Sequence, residues 1–155
     1  MAKVIAGIGI PGSGKTTVLK TFAHERRFVY ISPDEVREEI SGDARIQSDM
    51  QEVWRRVFQR MTEALQKGKD VVLDSTNYKA EDRRTLIEKA DASGAQVIGV
   101  YFDVPLELAL ERNKSRERVV PEHAVQRMHK RLKETPPCVE EGFYVVITPE
   151  ELGKL

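Results

Sequence analysis

The chain has little that would place it in an oxidising compartment or a membrane. It has one cysteine, Cys138, among 155 residues, so an internal disulfide is excluded. This cysteine stands in a proline-rich turn, where an inert thiol is expected. No apolar run approaches the length that spans a bilayer, and Met1 leads into the first apolar segment without a signal-peptide pattern. These absences predict a cytoplasmic protein that does not contact a membrane.

The sequence also lacks an excess of charge of either sign. Lysine plus arginine and aspartate plus glutamate number 25 each, so the net charge is zero. A strongly basic chain would favour nucleic acid as the partner, and this balance does not. A local basic groove stays open, because net charge does not describe where the charges lie. We expect the length to suit one domain, residues 1–155, with a sizeable core and no second catalytic domain.

What the sequence does contain is a complete phosphate-binding loop at residues 9–16, which matches G-x-x-x-x-G-K-[ST]. The apolar segment before the loop predicts a strand and the segment after it predicts a helix, which argues against a chance glycine-rich turn. Backbone N–H groups and the helix dipole predict nucleotide binding by Gly12, Ser13, Gly14, Lys15, Thr16 and Thr17. Within this set, Lys15 is expected to reach the outer phosphates of ATP and Thr16 to bind Mg²⁺.

Short apolar strands alternate with helices along the chain. After a first strand at 3–8, four more strands are predicted at residues 28–31, 70–74, 96–103 and 143–148. Helices are predicted after Ser32-Pro33, with Glu35 closing a capping box, and at about 47–67, 81–93, 105–115 and 122–133. This alternation predicts an α/β protein with the P-loop NTPase fold, with a parallel sheet of about five strands, helices on both faces and an arginine-bearing lid. Ligand sites in such sheets lie at the carboxyl ends of the strands.

Asp34 and Arg37 are the first polar pair after a strand, and their spacing of three places both on one helix face. Phosphoryl transfer to a hydroxyl needs a carboxylate to take the proton and a cation beside the acceptor, which these residues can supply. Such pairs are also common on helix surfaces, because acids favour the first helical turn. The residues alone support the two interpretations equally.

A second polar cluster, Asp74-Ser75-Thr76-Asn77, follows the third predicted strand. An aspartate at the end of an apolar strand is usual on the magnesium side of P-loop enzymes, so Asp74 is predicted to hold a magnesium-bound water. Ser75, Thr76 and Asn77 offer hydrogen bonds to an acceptor. The alternative is turn chemistry before a helix. Two polar clusters at strand ends beside one phosphate loop favour the functional interpretation.

The helix after the fourth strand ends in an arginine-rich segment, residues 112–118. The helix dipole alone favours arginines at this position. A segment of this composition between two helices also suits a lid that places an arginine on the transferred group. The segment lacks the Asn-Lys-x-Asp pattern that resembles the guanine specifier of switch GTPases, which argues against a GTPase.

The long helix carries weaker candidates. Trp54 and Phe58 belong to its apolar stripe and are predicted to lie in the core. Its polar face is predicted to be solvated, with a polyanion groove as the alternative, and carries Arg55, Arg56 and Arg60.

Taken in order, these motifs resemble the 5′-hydroxyl polynucleotide kinase domain of nucleic-acid end-healing enzymes. The matching segments are residues 9–17, 31–37, 74–77, 102–105 and 112–116, followed by 120–121. The resemblance covers nearly the whole chain. Many enzymes share the phosphate loop, whereas the combined order of segments is much more specific.

In that family the fold is adenylate-kinase-like, and ATP phosphorylates the 5′-OH end of DNA or RNA. The resemblance implies that Asp34 is the general base and that Arg37 contacts the acceptor-side phosphate. It also implies that Arg116 stabilises the transferring phosphoryl group, and that Arg112 and Val120 lie near the nucleotide. Many members are fused to a phosphatase or another healing domain, and we do not expect such a domain in these 155 residues.

The leading hypothesis is therefore an ATP- and Mg²⁺-dependent kinase of 5′-OH polynucleotide ends, with catalytic roles for Lys15, Asp34, Arg37 and Arg116. The alternative is a small-metabolite hydroxyl kinase of the same architecture, which zero net charge favours because polynucleotide binding gains from phosphate neutralisation. A nucleotide-gated binding module is a third hypothesis, against which the acid–arginine pair argues. The sequence indicates no protein partner and no choice between DNA and RNA.

Overall fold

The central sheet has five strands in a computed structural model of the chain, which describes residues 1–42 and 49–155. The strands are β1 (Lys3–Ile8), β2 (Val29–Ile31), β3 (Val71–Leu73), β4 (Gln96–Tyr101) and β5 (Val145–Ile147). They lie in the order β2-β3-β1-β4-β5, and every neighbouring pair is parallel. The predicted α/β class and parallel sheet are confirmed. Because β1 is the central strand, the loop after it lies in the middle of the sheet's carboxyl edge.

The helices follow the predicted alternation. They are α1 (Lys15–Arg26), α2 (Pro33–Ser41), α3 (Met50–Gln66), α4 (Ala80–Ala92), α5 (Leu106–Lys114), α6 (Glu122–Glu134) and α7 (Pro149–Leu152). A 3₁₀ turn at Val139–Glu141 precedes β5. The predicted start of the long helix near residue 47 lies outside the described residues. Within the described ranges, no helix is long and apolar enough to cross a bilayer.

Alternate residues of the strands pack into two separate cores, which places helices on both faces of the sheet. On one face, Val4, Ala6 and Ile8 of β1 join the buried side chains of α3, α4 and α6. On the other face, Ile5 packs with Leu19 of α1 and Leu152 of α7. A period of two along each strand is what a sheet covered on both faces requires.

The start of α2 differs from prediction in one respect. Ser32 is the N-cap, as expected, but its hydroxyl accepts from the N–H of Asp34 at 3.2 Å. Glu35 does not close a capping box; its carboxylate lies 3.0 Å from the ammonium of Lys20 on α1. A charged partner offers a carboxylate a stronger interaction than a neutral backbone N–H does. The ion pair ties α2 to α1 beside the phosphate loop.

Candidate active site

The phosphate loop between β1 and α1 packs directly against α5. Gly12 and Gly14 have φ angles of +85° and +89°, which L side chains rarely adopt. A Cβ on Gly12 would lie 2.1 Å from the carbonyl oxygen of Ala109, so only glycine fits there. The buried hydroxyl of Ser13 has no hydrogen-bond partner among the described residues. A glycine cradle with an unsatisfied buried hydroxyl fits a phosphate group.

Lys15 begins α1 and is buried at the centre of the site. Burial lowers the pKa of Lys15, the negative charge of Asp74 opposes this shift, and the positive charge of Arg116 adds to it. A second carboxylate, Asp34, also raises the pKa of this lysine. Because burial and Arg116 together outweigh the two carboxylates, the Lys15 ammonium would be stabilised by a further negative charge, which a nucleotide phosphate supplies.

On the side of the loop where magnesium is predicted, two hydroxyl groups donate to one carboxylate oxygen. The Thr16 hydroxyl donates to Oδ2 of Asp74 at 2.9 Å. The Tyr30 hydroxyl, from β2, donates to the same oxygen. Burial raises the pKa of Tyr30, and the charge of Asp74 raises it further, so this phenol stays protonated as a donor. Tyr30 is not among the residues predicted for the site, because it lies within β2 and not after its end.

This donor set fits Mg²⁺ held jointly with a nucleotide. Across residues 1–42 and 49–155 no group of three or more His, Cys, Asp or Glu side chains could hold a metal ion. Magnesium is usually bound through one or two carboxylates, with water and substrate phosphates completing its coordination. Thr16 and Asp74 meet that description.

Asp34 is held by arginines from two different elements. Arg37 on the same helix donates to its Oδ1 at 2.8 Å, and Arg118 from beyond α5 donates to the same oxygen at 3.2 Å. The Arg37 side chain is only 6% exposed, and its Nη2 also lies 3.5 Å from the sulfur of Met50. The structure therefore brings together the acid–arginine pair that the sequence singled out and adds a second arginine.

Two cavities meet at the phosphate loop. The smaller, of about 200 Å³, is lined by loop residues together with Thr17 and Arg112. The larger, of about 460 Å³, is lined by Asp34, Arg37 and the strand-end segment 74–77, among others. Three residues line both cavities: Lys15, Thr16 and Arg116. A phosphoryl group at this junction would lie between a nucleotide on one side and an acceptor on the other. We call the two spaces the donor cavity and the acceptor cavity.

The segment after β3 supports the site as well as lining it. The Asn77 side chain donates to the carbonyl oxygen of Gly7 at 2.8 Å, and its backbone has φ +47°. The N–H of Gly9 donates to the carbonyl oxygen of Thr76 at 3.0 Å. Asn77 thus commits its amide nitrogen to joining β1 and β3. Ser75 and Thr76 line the acceptor cavity.

A buried arginine that no sequence motif indicates anchors this segment to α4. Arg83 on α4 is 0% exposed and donates to the carbonyl oxygen of Asn77 at 3.0 Å. It also forms an ion pair with Glu141 at 3.0 Å and donates to the carbonyl oxygen of Thr135. These bonds connect the segment after β3, which lines the acceptor cavity, to the turn before β5. No local pattern distinguishes Arg83 from its exposed neighbour Arg84.

The lid, residues 115–121 between α5 and α6, is closed at its base by the buried side chain of Asn113. Its amide nitrogen donates to the carbonyl oxygen of Val120 at 2.7 Å, and its oxygen accepts the Val120 N–H at 3.2 Å. Val120 itself lines the acceptor cavity, whereas Arg112 lines the donor cavity. No pattern in the sequence indicates this structural role of Asn113.

The long-helix candidates divide between the cleft and the surface. Trp54 is half-buried against the core, 5.5 Å from the ring of Phe58, and also lines the acceptor cavity. The three arginines of α3 all form ion pairs. Glu52 pairs with Arg55 and Arg56, and Glu39 pairs with Arg60. Each of these arginines has a carboxylate partner, which argues against a polyanion groove on this helix.

Fold and site together define a domain of the P-loop kinase fold, with a loop that fits a nucleotide phosphate. The chain belongs to the AAA domain family (AAA_33), whose model matches residues 4–135.

Curated relatives are kinases of larger size. The chain is 27% identical over 146 residues to the bifunctional polynucleotide phosphatase/kinase of Schizosaccharomyces pombe, covering 91% of this chain and 32% of that protein. It is 26% identical over 137 residues to the L-seryl-tRNA(Sec) kinase of Methanococcus maripaludis, covering 83% of this chain and 51% of that protein. The chain thus spans about half or less of these relatives. The resemblance to polynucleotide kinase domains is confirmed.

Solved structures share the fold. A chain of the Pnkp1/Rnl/Hen1 RNA repair complex superposes with a TM-score of 0.78 at 21% identity, over 86% of this chain and 45% of that chain. A sugar kinase from Janibacter sp. HTCC2649 superposes with a TM-score of 0.68 at 20% identity, over 99% of this chain and 91% of that chain. These likenesses establish the P-loop kinase architecture.

Proposed function

We propose that this domain transfers the γ-phosphoryl group of ATP to the 5′-OH end of DNA or RNA. The observation that carries the proposal concerns Asp34. Two arginines hold its carboxylate in the acceptor cavity, which meets the donor cavity at Lys15 and Arg116. Its Oδ1 accepts both arginines, and within the described residues its Oδ2 has no hydrogen bond. That oxygen is free to accept a proton from an acceptor hydroxyl.

The proposed reaction is an in-line displacement. The acceptor oxygen forms a bond to the γ-phosphorus, the bond to the β–γ bridging oxygen breaks, ADP leaves, and the hydroxyl proton passes to Asp34. Lys15 and Arg116 line the junction of the two cavities, where they stabilise the charge on the transferring group. Mg²⁺ bound at Thr16 and Asp74 would neutralise negative charge on the phosphates.

Three properties favour a nucleic-acid end as acceptor. The acceptor cavity combines three arginines, Arg37, Arg116 and Arg118, with the exposed part of Trp54. Cations and an aromatic surface are what a phosphate and a terminal base bind. Both curated relatives carry names of kinases that act on a polynucleotide or a tRNA.

A small-molecule hydroxyl kinase is the second candidate, favoured by a different observation. The arginines of α3 are already paired with Glu52 and Glu39, so the long helix offers no free basic track for a strand. The net charge of zero agrees with a compact, weakly charged acceptor.

A phosphate-transfer assay separates the two candidates. Radiolabelled ATP would be incubated with 5′-OH DNA and RNA oligonucleotides, and separately with a panel of sugars and nucleosides. We expect label on an oligonucleotide, inhibition by rising salt, and loss of transfer when EDTA removes Mg²⁺. Oligonucleotides that already carry a 5′-phosphate are the matched control. Label on a small acceptor with none on any oligonucleotide would establish the second candidate instead.

A further inference from the structure

The lid reaches across the acceptor cavity through one side chain. Arg118 Nη1 lies 3.2 Å from Asp34 Oδ1, although the two residues are 84 positions apart in sequence. The Arg118 side chain is 31% exposed, and that of Asp34 is 44% exposed. Neither the phosphate loop nor the family resemblance assigns a role to this arginine.

The contact belongs to a lid with fixed ends. Asn113 bonds both backbone groups of Val120, and the N–H of Arg116 donates to the carbonyl oxygen of Asn113 at 3.2 Å. Arg118 is therefore presented from a short closed loop. Burial lowers the pKa of Arg118, the charge of Asp34 opposes that shift, and the guanidinium keeps its charge at neutral pH.

The two arginines that hold Asp34 come from different elements. Arg37 lies on the same helix as Asp34, three residues later in the sequence. A single hydrogen bond from Arg37 would still let the carboxylate group rotate. Arg118 approaches from the lid and reaches the same oxygen. Two donors from separate elements fix the plane of the carboxylate more tightly than one donor does, and they leave Oδ2 for the substrate.

We propose that Arg118 is a positioning residue that holds Oδ1 of Asp34 and so directs Oδ2 towards the acceptor hydroxyl. The proposal rests on the proposed function, because it takes Asp34 as the proton acceptor. The lid then has two roles in the proposal, because Arg116 stabilises the transferred group and Arg118 orients the general base.

Steady-state kinetics of two variants test this role. In Arg118→Gln we expect kcat to fall roughly tenfold to a hundredfold, because a misplaced catalytic group costs about that much. The KM values for ATP and acceptor should change by less than about threefold. Arg118→Lys, which keeps the charge, should recover part of the loss. The control is Arg127→Gln on exposed α6 surface, expected to stay close to wild type. A large rise in acceptor KM with kcat unchanged would show that Arg118 binds the acceptor itself, and would overturn the proposal.

Hydrogen exchange tests the Arg118–Asp34 contact without any substrate. Backbone amides of residues 115–119 should exchange faster in both Arg118→Gln and Asp34→Ala, by about tenfold, because each change releases the lid. The double variant should exchange no faster than the single variants. Unchanged exchange in Arg118→Gln would overturn the proposal. If the wild-type protein labels no oligonucleotide, the proposed function fails. Hydrogen exchange still tests whether Arg118 contacts Asp34. The kinetic test is then run with whichever acceptor is labelled.

Discussion

The donor and acceptor cavities meet at Lys15 but are built in different ways. The donor cavity is lined mainly by the continuous segment 12–17, where two glycines with positive φ angles shape the backbone of the loop. The acceptor cavity draws on α2, α3, the segment after β3, the lid and α6. Its charged groups are positioned by side-chain pairs such as Arg118 with Asp34. One cavity is thus a local backbone structure, and the other is an assembly of distant side chains.

The difference implies different sensitivities to mutation. A backbone cradle is disturbed by added volume or by a changed φ angle, whereas an assembly of charges is disturbed when one partner is removed. Substitutions in the two regions should therefore separate nucleotide binding from phosphoryl transfer.

The largest effect is expected at Asp34. Asp34→Ala should lower kcat for phosphoryl transfer by about 10²- to 10⁴-fold, the usual contribution of a general base, while ATP affinity stays nearly unchanged. Labelled transfer and nucleotide titration measure the two quantities. Glu35→Gln is the matched control, because Glu35 follows in sequence but pairs with Lys20. Transfer that persists at more than a few per cent of wild type would exclude Asp34 as the base.

The next effect concerns the donor cavity. Gly12→Ala should lower ATP affinity by at least about tenfold, because the new Cβ meets the Ala109 carbonyl at 2.1 Å and forces the loop away from α5. Calorimetric titration with ATP measures this loss. Gly94→Ala is the control: Gly94 also has a positive φ, +73°, but has nothing within 4 Å of an added Cβ. That variant should lose about 1 kcal/mol of stability and keep its ATP affinity. Equal ATP affinity in both variants would contradict the close packing of loop on helix.

A smaller effect on transfer but a clear one on stability is expected at Arg83. Arg83→Ala should lower the free energy of unfolding by about 3–5 kcal/mol, because it leaves the carboxylate of Glu141 and two backbone carbonyls without their buried partner. Urea denaturation measures the change. Exposed Arg84→Ala should stay within about 0.5 kcal/mol of wild type. A similar loss of unfolding free energy in both variants would show that the hydrogen bonds and ion pair of buried Arg83 do not stabilise the fold.

The smallest effect is expected on the surface of α3. Hydrogen bonds from Arg55 and Arg56 lower the pKa of Glu52 to about 2 from its ordinary value of 4.5. Since the folded-state pKa is depressed, the stabilisation is present above pH 4.5 and is lost as the pH falls towards 2. Glu52→Gln should therefore be slightly less stable than wild type at pH 7, with the gap closing on acidification. Urea midpoints across this pH range measure it, with Glu88→Gln as the exposed control. A gap independent of pH would assign the effect to something other than the ion pairs.

Much of the fold followed from apolar periodicity. Each predicted strand contains an observed strand, since a parallel sheet covered on both faces needs short continuous apolar runs. The observed strands are shorter at several ends; β3, for example, spans Val71–Leu73 within the predicted 70–74. The predicted capping box at Glu35 was wrong because Lys20 lies within reach on another helix, which no local pattern records.

The site was predicted in part. The loop residues and the pair Asp34 and Arg37 lie where the strand-end rule put them. The tyrosine and the arginines that complete the site are Tyr30, Arg83 and Arg118. Arg118 lies in the arginine-rich segment 112–118, but no local pattern indicates the contact that any of the three makes. Trp54 had been predicted as a core residue, yet its ring also lines the acceptor cavity, because one helix face serves both the core and the cleft.

By itself the sequence determined the alternation of strands and helices and the nucleotide loop, because both depend on residues that are neighbours along the chain. Only the tertiary structure decided which side chains surround the acceptor cavity. The partners there are 84 positions apart for Asp34 and Arg118, and 58 for Thr16 and Asp74. Such contacts depend on strand order and on how each helix packs, and local periodicity specifies neither.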